Sequence, residues 1–312
     1  MADTIDKQSS GLQGSDIRDL QDRVADRNAT AHIVPVLAGG GARLPAHIGI
    51  LTALEELKID FRQMVGVSGG SIVAALFAGG YDLADIRQIS DDTDFSQFLG
   101  QNFISLLRTG GLSSGDRFER WMDEKMQGRR FCDLAMDLSV VATDVRSGKA
   151  VIFNRDLSPE MRISEAVRYS MSVPLLFSFK TLGEQVMADG SILAEEALRR
   201  DWSGAGTPVV VFKLRGSGGL NLKDRKPVIP LSNYLAMLIH TFMTTLSHEY
   251  INEAFWLSTI VVETGDVSPV AFTLGPELKA ELFEAGYRST LDFLPPKLAQ
   301  GGLNIPKPST QV

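Results

Sequence analysis

One serine stands in a setting that can make a nucleophile. Gly66-Val67-Ser68-Gly69-Gly70 fits G-x-S-x-G, the pattern of a sharp strand-to-helix turn whose neighbours must lack side chains. Such a turn lifts the hydroxyl clear and aims the free N–H groups of the next helix at developing negative charge. Upstream, Gly39-Gly40-Gly41-Ala42-Arg43 offers a second loop of unshielded backbone N–H groups, the usual material of an oxyanion hole. A phosphate cradle is the competing reading. It is weakened by Leu44, where a dinucleotide fingerprint needs glycine, and by the lack of a following G-K-[ST]. A plain glycine turn is the remaining one.

A serine at its free pKa needs a proton acceptor. Only four histidines exist, His32, His47, His240 and His248. The other candidate is Asp189-Gly190, which ends the apolar stretch Gln185-Val186-Met187-Ala188 and reads equally as a simple Asx turn. His47 beside the glycine loop reads as a packing residue able to give a supporting hydrogen bond. His240 and His248 with Glu249 lack any H-E-x-x-H pattern, so no metal site is expected.

The elements needed to position these groups are legible as alternating apolar runs and helix-period segments, the signature of βαβ units and a mainly parallel sheet. Strands are expected at His32–Ala38, Gln63–Val67, Leu138–Thr143, Ala150–Phe153, Val209–Leu214 and Thr259–Glu263. Helices are expected at Ala46–Leu57, Ser71–Ala78 and Leu278–Tyr287. Tyr234–Leu246 reads as a buried or interfacial helix rather than a span, because Pro230, Ser232, Asn233 and His240 interrupt the uncharged stretch around it. Phe95, Phe98, Phe103, Leu106 and Leu107 read as an amphipathic segment, either a lipid-contacting surface or core packing.

Of 312 residues, 44% are hydrophobic, enough for a sizeable core and too many for a largely disordered chain. The net charge of −7, with no Lys/Arg-rich run, argues against nucleic acid and against electrostatic capture by anionic lipid. Cys132, the single cysteine, excludes an intrachain disulfide and reads as a small core residue. Residues 1–30 are polar and show no signal-peptide pattern. A folded domain over 31–296, a loose tail over 297–312, and a cytoplasmic location, peripheral at a membrane through apolar contacts, are the expectations.

Together the motifs resemble the patatin-like phospholipases. Gly39 to Arg43 followed by Gly49-Ile50-Leu51 is similar to the family's glycine-rich oxyanion motif, Gly66 to Gly70 to its serine elbow, and Asp189-Gly190 to its D-G-[GA] aspartate motif. Val141 to Asp144 with Gly148, and Ala166 to Phe177 (A-x-x-x-S-x-x-[VI]-P-x-x-F), agree as well. The resemblance covers about His32 to Leu294. It implies a three-layer α/β/α sandwich, a lipid or acyl-ester substrate, no cofactor, and a Ser68–Asp189 dyad without histidine. It also implies oxyanion donors from Gly39, Gly40, Gly41 and Gly69, with Arg43 as the loop's basic residue. Leu44, Ser191 and Glu195-Glu196 depart from the family pattern, which has glycine at the first position, glycine or alanine at the second, and commonly Asn-Pro near the third. Two other readings stay open: a Ser-His-Asp esterase using His240 or His248, and a non-catalytic lipid-binding module.

Overall fold

The computed structural model describes residues 32–99, 110–193, 200–216 and 257–299, together with 237, 238 and 241. Glycine punctuation sets the first two units. β1 (Val34–Ala38) gives way to the turn at Gly39–Gly40 and then to α1 (Pro45–Glu56). Pro45 opens that helix, where a missing N–H costs nothing. β2 (Gln63–Val67) bends at Ser68 directly into α2 (Gly69–Ala78), and Gly79 ends it by returning its N–H to Ala75 O. Nine of the ten α2 residues are buried, as a helix apolar all round requires.

The chain continues through α3 (Leu83–Asp92), β3 (Gly111–Ser113), α4 (Asp116–Met126), β4 (Asp137–Asp144) and β5 (Lys149–Phe153). There follow α5 (Ile163–Ser170), β6 (Leu175–Phe177), β7 (Lys180–Leu182), β8 (Gln185–Ala188), β9 (Val209–Arg215), β10 (Thr259–Glu263) and α6 (Pro276–Ala299). The sheet order is β10-β9-β1-β2-β4-β8-β7, with β5 also paired to β4 and β3–β6 forming a separate pair. The five strands from β10 to β4 are parallel, β5 and β8 run antiparallel to β4, and β7 runs antiparallel to β8. From β1 the chain moves to β2 on one side and later returns to β9 on the other. Such a reversal leaves a crevice beyond the strand C-termini, where open α/β sheets bind ligands.

Alternating strand residues feed two cores. Leu37, Met64, Val140, Phe212 and Val262 join side chains from all six described helices, while Val36, Val65, Val141 and Val211 pack on the opposite face with Trp202 and β5. Burial on both faces explains why β1 reads as an unbroken apolar run. α6 extends well past the expected Tyr287, through Pro295 and Pro296 to Ala299. Leu294 and Pro295 are buried there, so packing outweighs the missing amide bonds.

Cys132 corrects the expectation of a core thiol, since it is exposed. The short turn Phe131–Asp133 buries Phe131 and turns the thiol outward beside Asp133 and Glu160. Of the amphipathic aromatic segment, Phe98 is core, packed on Phe118 and Trp121. Phe103, Leu106 and Leu107 lie outside the described residues, as do the N-terminal tail, Glu195, Glu196, His240, His248 and most of Tyr234–Leu246. No described helix is long and apolar enough to cross a membrane.

α6 packs along α1 so closely that a Cβ on Gly286 would lie 1.9 Å from Ala46 O. Gly286→Leu should therefore destabilise the chain by at least about 2 kcal/mol, as overpacked sites do, read as a lower urea midpoint at unchanged slope.

Candidate active site

Four strand ends meet at one edge of the sheet. Ala38 of β1 pairs with Val67 of β2, so the glycine turn and the serine elbow leave the sheet side by side. Val67 pairs with Val141 of β4, and two residues on, Thr143 pairs with Ala188 of β8. That register brings Asp189 to Ser68.

Ser68 adopts φ 53 and ψ −130, a conformation that costs a residue with a side chain about 1–3 kcal/mol. The surroundings hold it there. Its N–H donates to Ser170 Oγ at 2.8 Å, and Ser170 Oγ in turn donates to Val141 O at 2.6 Å. A Cβ on Gly70 would lie 2.2 Å from Leu37 O, so only glycine lets the elbow close on β1. Ser68 Oγ donates to Asp189 Oδ2 at 2.6 Å and lies 3.8 Å from Met171 Sδ. Both Ser68 and Asp189 have no solvent exposure.

Asp189 is fixed on every side. Its N–H donates to Ser172 O at 3.0 Å, its carbonyl accepts from Thr143 Oγ1 at 3.0 Å, and Oδ1 accepts from Ser191 N–H at 2.8 Å. Burial pushes its carboxyl up to about 6, opposed by the hydrogen bonds from Ser68 and Ser191.

The glycine turn is locked differently from the expectation. Gly39, Gly40 and Gly41 all take positive φ. Gly39 N–H, one of the expected donors, is consumed by Val67 O at 3.1 Å. Arg43 is also committed: its N–H donates to Gly40 O at 3.0 Å, Nε to the same carbonyl at 3.3 Å, and one terminal nitrogen to Thr264 Oγ1 at 3.0 Å. Arg43 therefore ties the turn to the end of β10 rather than presenting a donor. Its side chain is buried, and desolvation lowers its pKa to about 10, leaving it cationic. The amides of Gly40, Gly41 and Gly69 have no hydrogen-bond partner among the described residues, and Gly69 packs directly against the Gly41 backbone. Leu44 does not disturb this arrangement, since its backbone is right-handed helical and its side chain is buried in the larger core.

His47 Nε2 donates to Gly39 O at 3.0 Å. A carbonyl only accepts, so Nε2 carries the hydrogen, and Nδ1 is buried without a partner. Burial lowers this imidazole to about 4, which keeps it neutral. Gly70 N–H donates to the same Gly39 carbonyl at 3.0 Å, so the elbow and the turn are pinned together. Among the described residues, no group of acidic, histidine or cysteine side chains could hold a metal ion.

Sequence reasoning missed Ser170, Thr143, Thr264 and the carbonyl of Pro269, which accepts from Ala42 N–H at 2.8 Å. Ser170 had a signal, since it is the serine of the Ala166 to Phe177 segment. Thr264 and Pro269 had none, because their roles depend on contacts more than 200 positions away.

The two buried titrating groups give opposite pH dependences. Asp189 titrates near 3.8 unfolded and about 6 folded, so stability falls as pH rises through that window, by about 3 kcal/mol for such a shift. His47 titrates near 6.5 unfolded and about 4 folded, so its contribution rises with pH between those values by a similar amount. Asp189→Asn should thus be more stable than the parent at pH 8, by up to about 3 kcal/mol, with the difference vanishing toward pH 4. Paired thermal melts across that range measure it.

The family model for patatin-like phospholipases matches residues 36–198, just over half of the chain. An uncharacterised protein, YqhO, of Bacillus subtilis is 27% identical over 84% of this chain and 98% of its own length. An uncharacterised NTE family protein of Mycobacterium bovis is 32% identical over 54% of this chain but only 28% of its own. VipD from Legionella pneumophila superposes with a TM-score of 0.54 at 18% identity, covering 84% of this chain and 66% of that one. ExoU in its complex with SpcU from Pseudomonas aeruginosa gives 0.51 at 20% identity, covering 86% and 52%. The chain thus spans about a quarter of the mycobacterial relative and between half and two thirds of the two solved structures. The fold is that of those structures, and with the family model matching just over half of its length the chain belongs to the patatin-like phospholipase family.

Proposed function

We propose that this chain is a lipid acyl hydrolase that cleaves carboxylic esters through a Ser68–Asp189 dyad. The observation that carries the reading is the 2.6 Å hydrogen bond from Ser68 Oγ straight to a buried carboxyl, with no imidazole between them. Asp189 near 6 is ionised at neutral pH yet much more basic than a free aspartate. It takes the Ser68 proton as Oγ attacks the acyl carbonyl, and the amides of Gly40, Gly41 and Gly69 offer donors to the oxyanion, each worth about 3 kcal/mol at such sites. The N-terminus of α2 adds its dipole in the same direction. Collapse of the tetrahedral intermediate expels the alcohol, which takes the proton back from Asp189. Water then attacks the acyl-serine, Asp189 again accepts a proton, and the free fatty acid leaves with Ser68 restored.

A soft apolar neighbour, Met171, and the small cluster of Val173, Leu176 and Phe177 immediately after it favour an acyl chain over a polar acyl group. A panel of phospholipids, lysophospholipids and neutral glycerides identifies the class. Ser68→Ala should abolish hydrolysis, and a fluorophosphonate should add its phosphonyl group to Ser68 in the parent, seen by peptide mass. Full activity in Ser68→Ala overturns the reading. With His240 and His248 both changed to alanine, most activity should persist; its loss would favour a histidine base. The rate should climb with pH through about 6 as Asp189 ionises, measured as the acid limb of kcat/KM.

A further inference from the structure

Ser191 occupies the position at which the family's aspartate motif has glycine or alanine, and its hydroxyl is unused. Ser191 Oγ is buried and, among the described residues, makes no hydrogen bond of full geometry, although Ser and Thr hydroxyls in such surroundings ordinarily find an acceptor. Its backbone N–H already donates to Asp189 Oδ1 at 2.8 Å. The hydroxyl also faces the glycine turn, since a Cβ on Gly39 would lie 3.8 Å from it. A donor with no acceptor therefore stands beside the one group of the dyad that gains a charge.

We propose that Ser191 is a positioning residue of the dyad, whose hydroxyl donates to the Asp189 carboxylate once it is ionised and holds Oδ2 toward Ser68. The inference rests on the Ser68–Asp189 reading above. A carboxylate accepts about four hydrogen bonds and a neutral carboxyl fewer. Oδ2 takes Ser68 Oγ and Oδ1 takes Ser191 N–H, and ionisation both adds acceptor capacity and strengthens any further bond to the carboxylate. Rotation about the Ser191 Cα–Cβ bond supplies the donor without moving the backbone. N–H and O–H of one residue on Oδ1 then fix the carboxylate plane.

Among the described residues the surroundings offer no rival source of charge. Around Asp189 stand the hydroxyls of Ser68 from the elbow and Thr143 from β4, the carbonyl of Ser172 from the turn after α5, and Ser191 itself. Among the described residues no charged neighbour contributes to the Asp189 shift, and the Ser191 hydroxyl, though not in full hydrogen-bond geometry, already lies close enough to favour the ionised form. Of the titratable groups at the glycine turn, His47 of α1 is neutral and donates to Gly39 O, and the Arg43 side chain is turned away to Thr264.

The test compares the parent with Ser191→Ala and Ser191→Thr, and with Ser191→Gly should the alanine chain fold poorly. Asp189 is titrated by carbon-13 NMR of labelled aspartate, and the rate of Ser68 phosphonylation is followed against pH. Loss of the hydroxyl should raise the Asp189 midpoint by about half a pH unit or more, and threonine should restore it. The acid limb of phosphonylation should move with it, while the melting temperature at pH 4, where Asp189 is neutral in every folded chain, stays put. Coincident midpoints in all chains would overturn the inference. If the parent fails to react at Ser68, the dyad reading fails, and the NMR midpoints still decide whether Ser191 acts on Asp189.

Discussion

A hydrogen bond of 2.6 Å between a hydroxyl and a carboxyl, both cut off from water, is the constraint to which the rest of this fold answers. It needs the end of β2 and the end of β8 at one point, though the two residues are 121 positions apart. β4 supplies the link, with β2 along one edge and the antiparallel β8 at its far end. It also needs Ser68 held in an unfavourable backbone conformation. Ser170 and the close approach of Gly70 to β1 provide the restraint. Desolvation then does the electrostatic work, lifting the Asp189 carboxyl to about 6 with no charged neighbour among the described residues.

How much of this was written in the chain depends on the range of the interaction. Gly66 to Gly70 and the strand before it announced the elbow, because close approach at a strand-to-helix bend leaves only glycine. Gly39 to Gly41 likewise announced a turn of positive φ, and the run Gln185 to Ala188 ended where Asp189 was expected to emerge. Spacing could not reveal which amides stay free. Gly39 N–H is consumed by the neighbouring strand, and Arg43 turns inward to Thr264; both follow from register between strands that are remote in sequence. Leu44 illustrates the converse. It departs from the motif yet fits, since the backbone there needs no positive φ and the side chain finds the core. Cys132 was misjudged because burial tendency says nothing of which face of a short turn a residue takes.

Function and stability pull against each other at the same place. Asp189 is kept dry and is therefore costly to ionise, and His47 is kept dry and is therefore costly to protonate. The two penalties change in opposite directions across the same acidic interval, so their contributions to the pH dependence of stability offset each other there. The imidazole takes no part in the proposed proton transfer. It holds Gly39 O from one side while Gly70 N–H holds it from the other, and so keeps the turn in register with the elbow.

Complete enclosure of Ser68 has a kinetic corollary. On the proposed reading, an ester would meet that oxygen only in the fraction of molecules whose interior has momentarily opened, and the observed second-order constant would be the intrinsic one scaled by that fraction. Stray electrophiles are slowed by the same factor, so occlusion lowers every rate at Ser68 alike. Any surface that favours the opened form would quicken the chemistry without altering a single reacting atom.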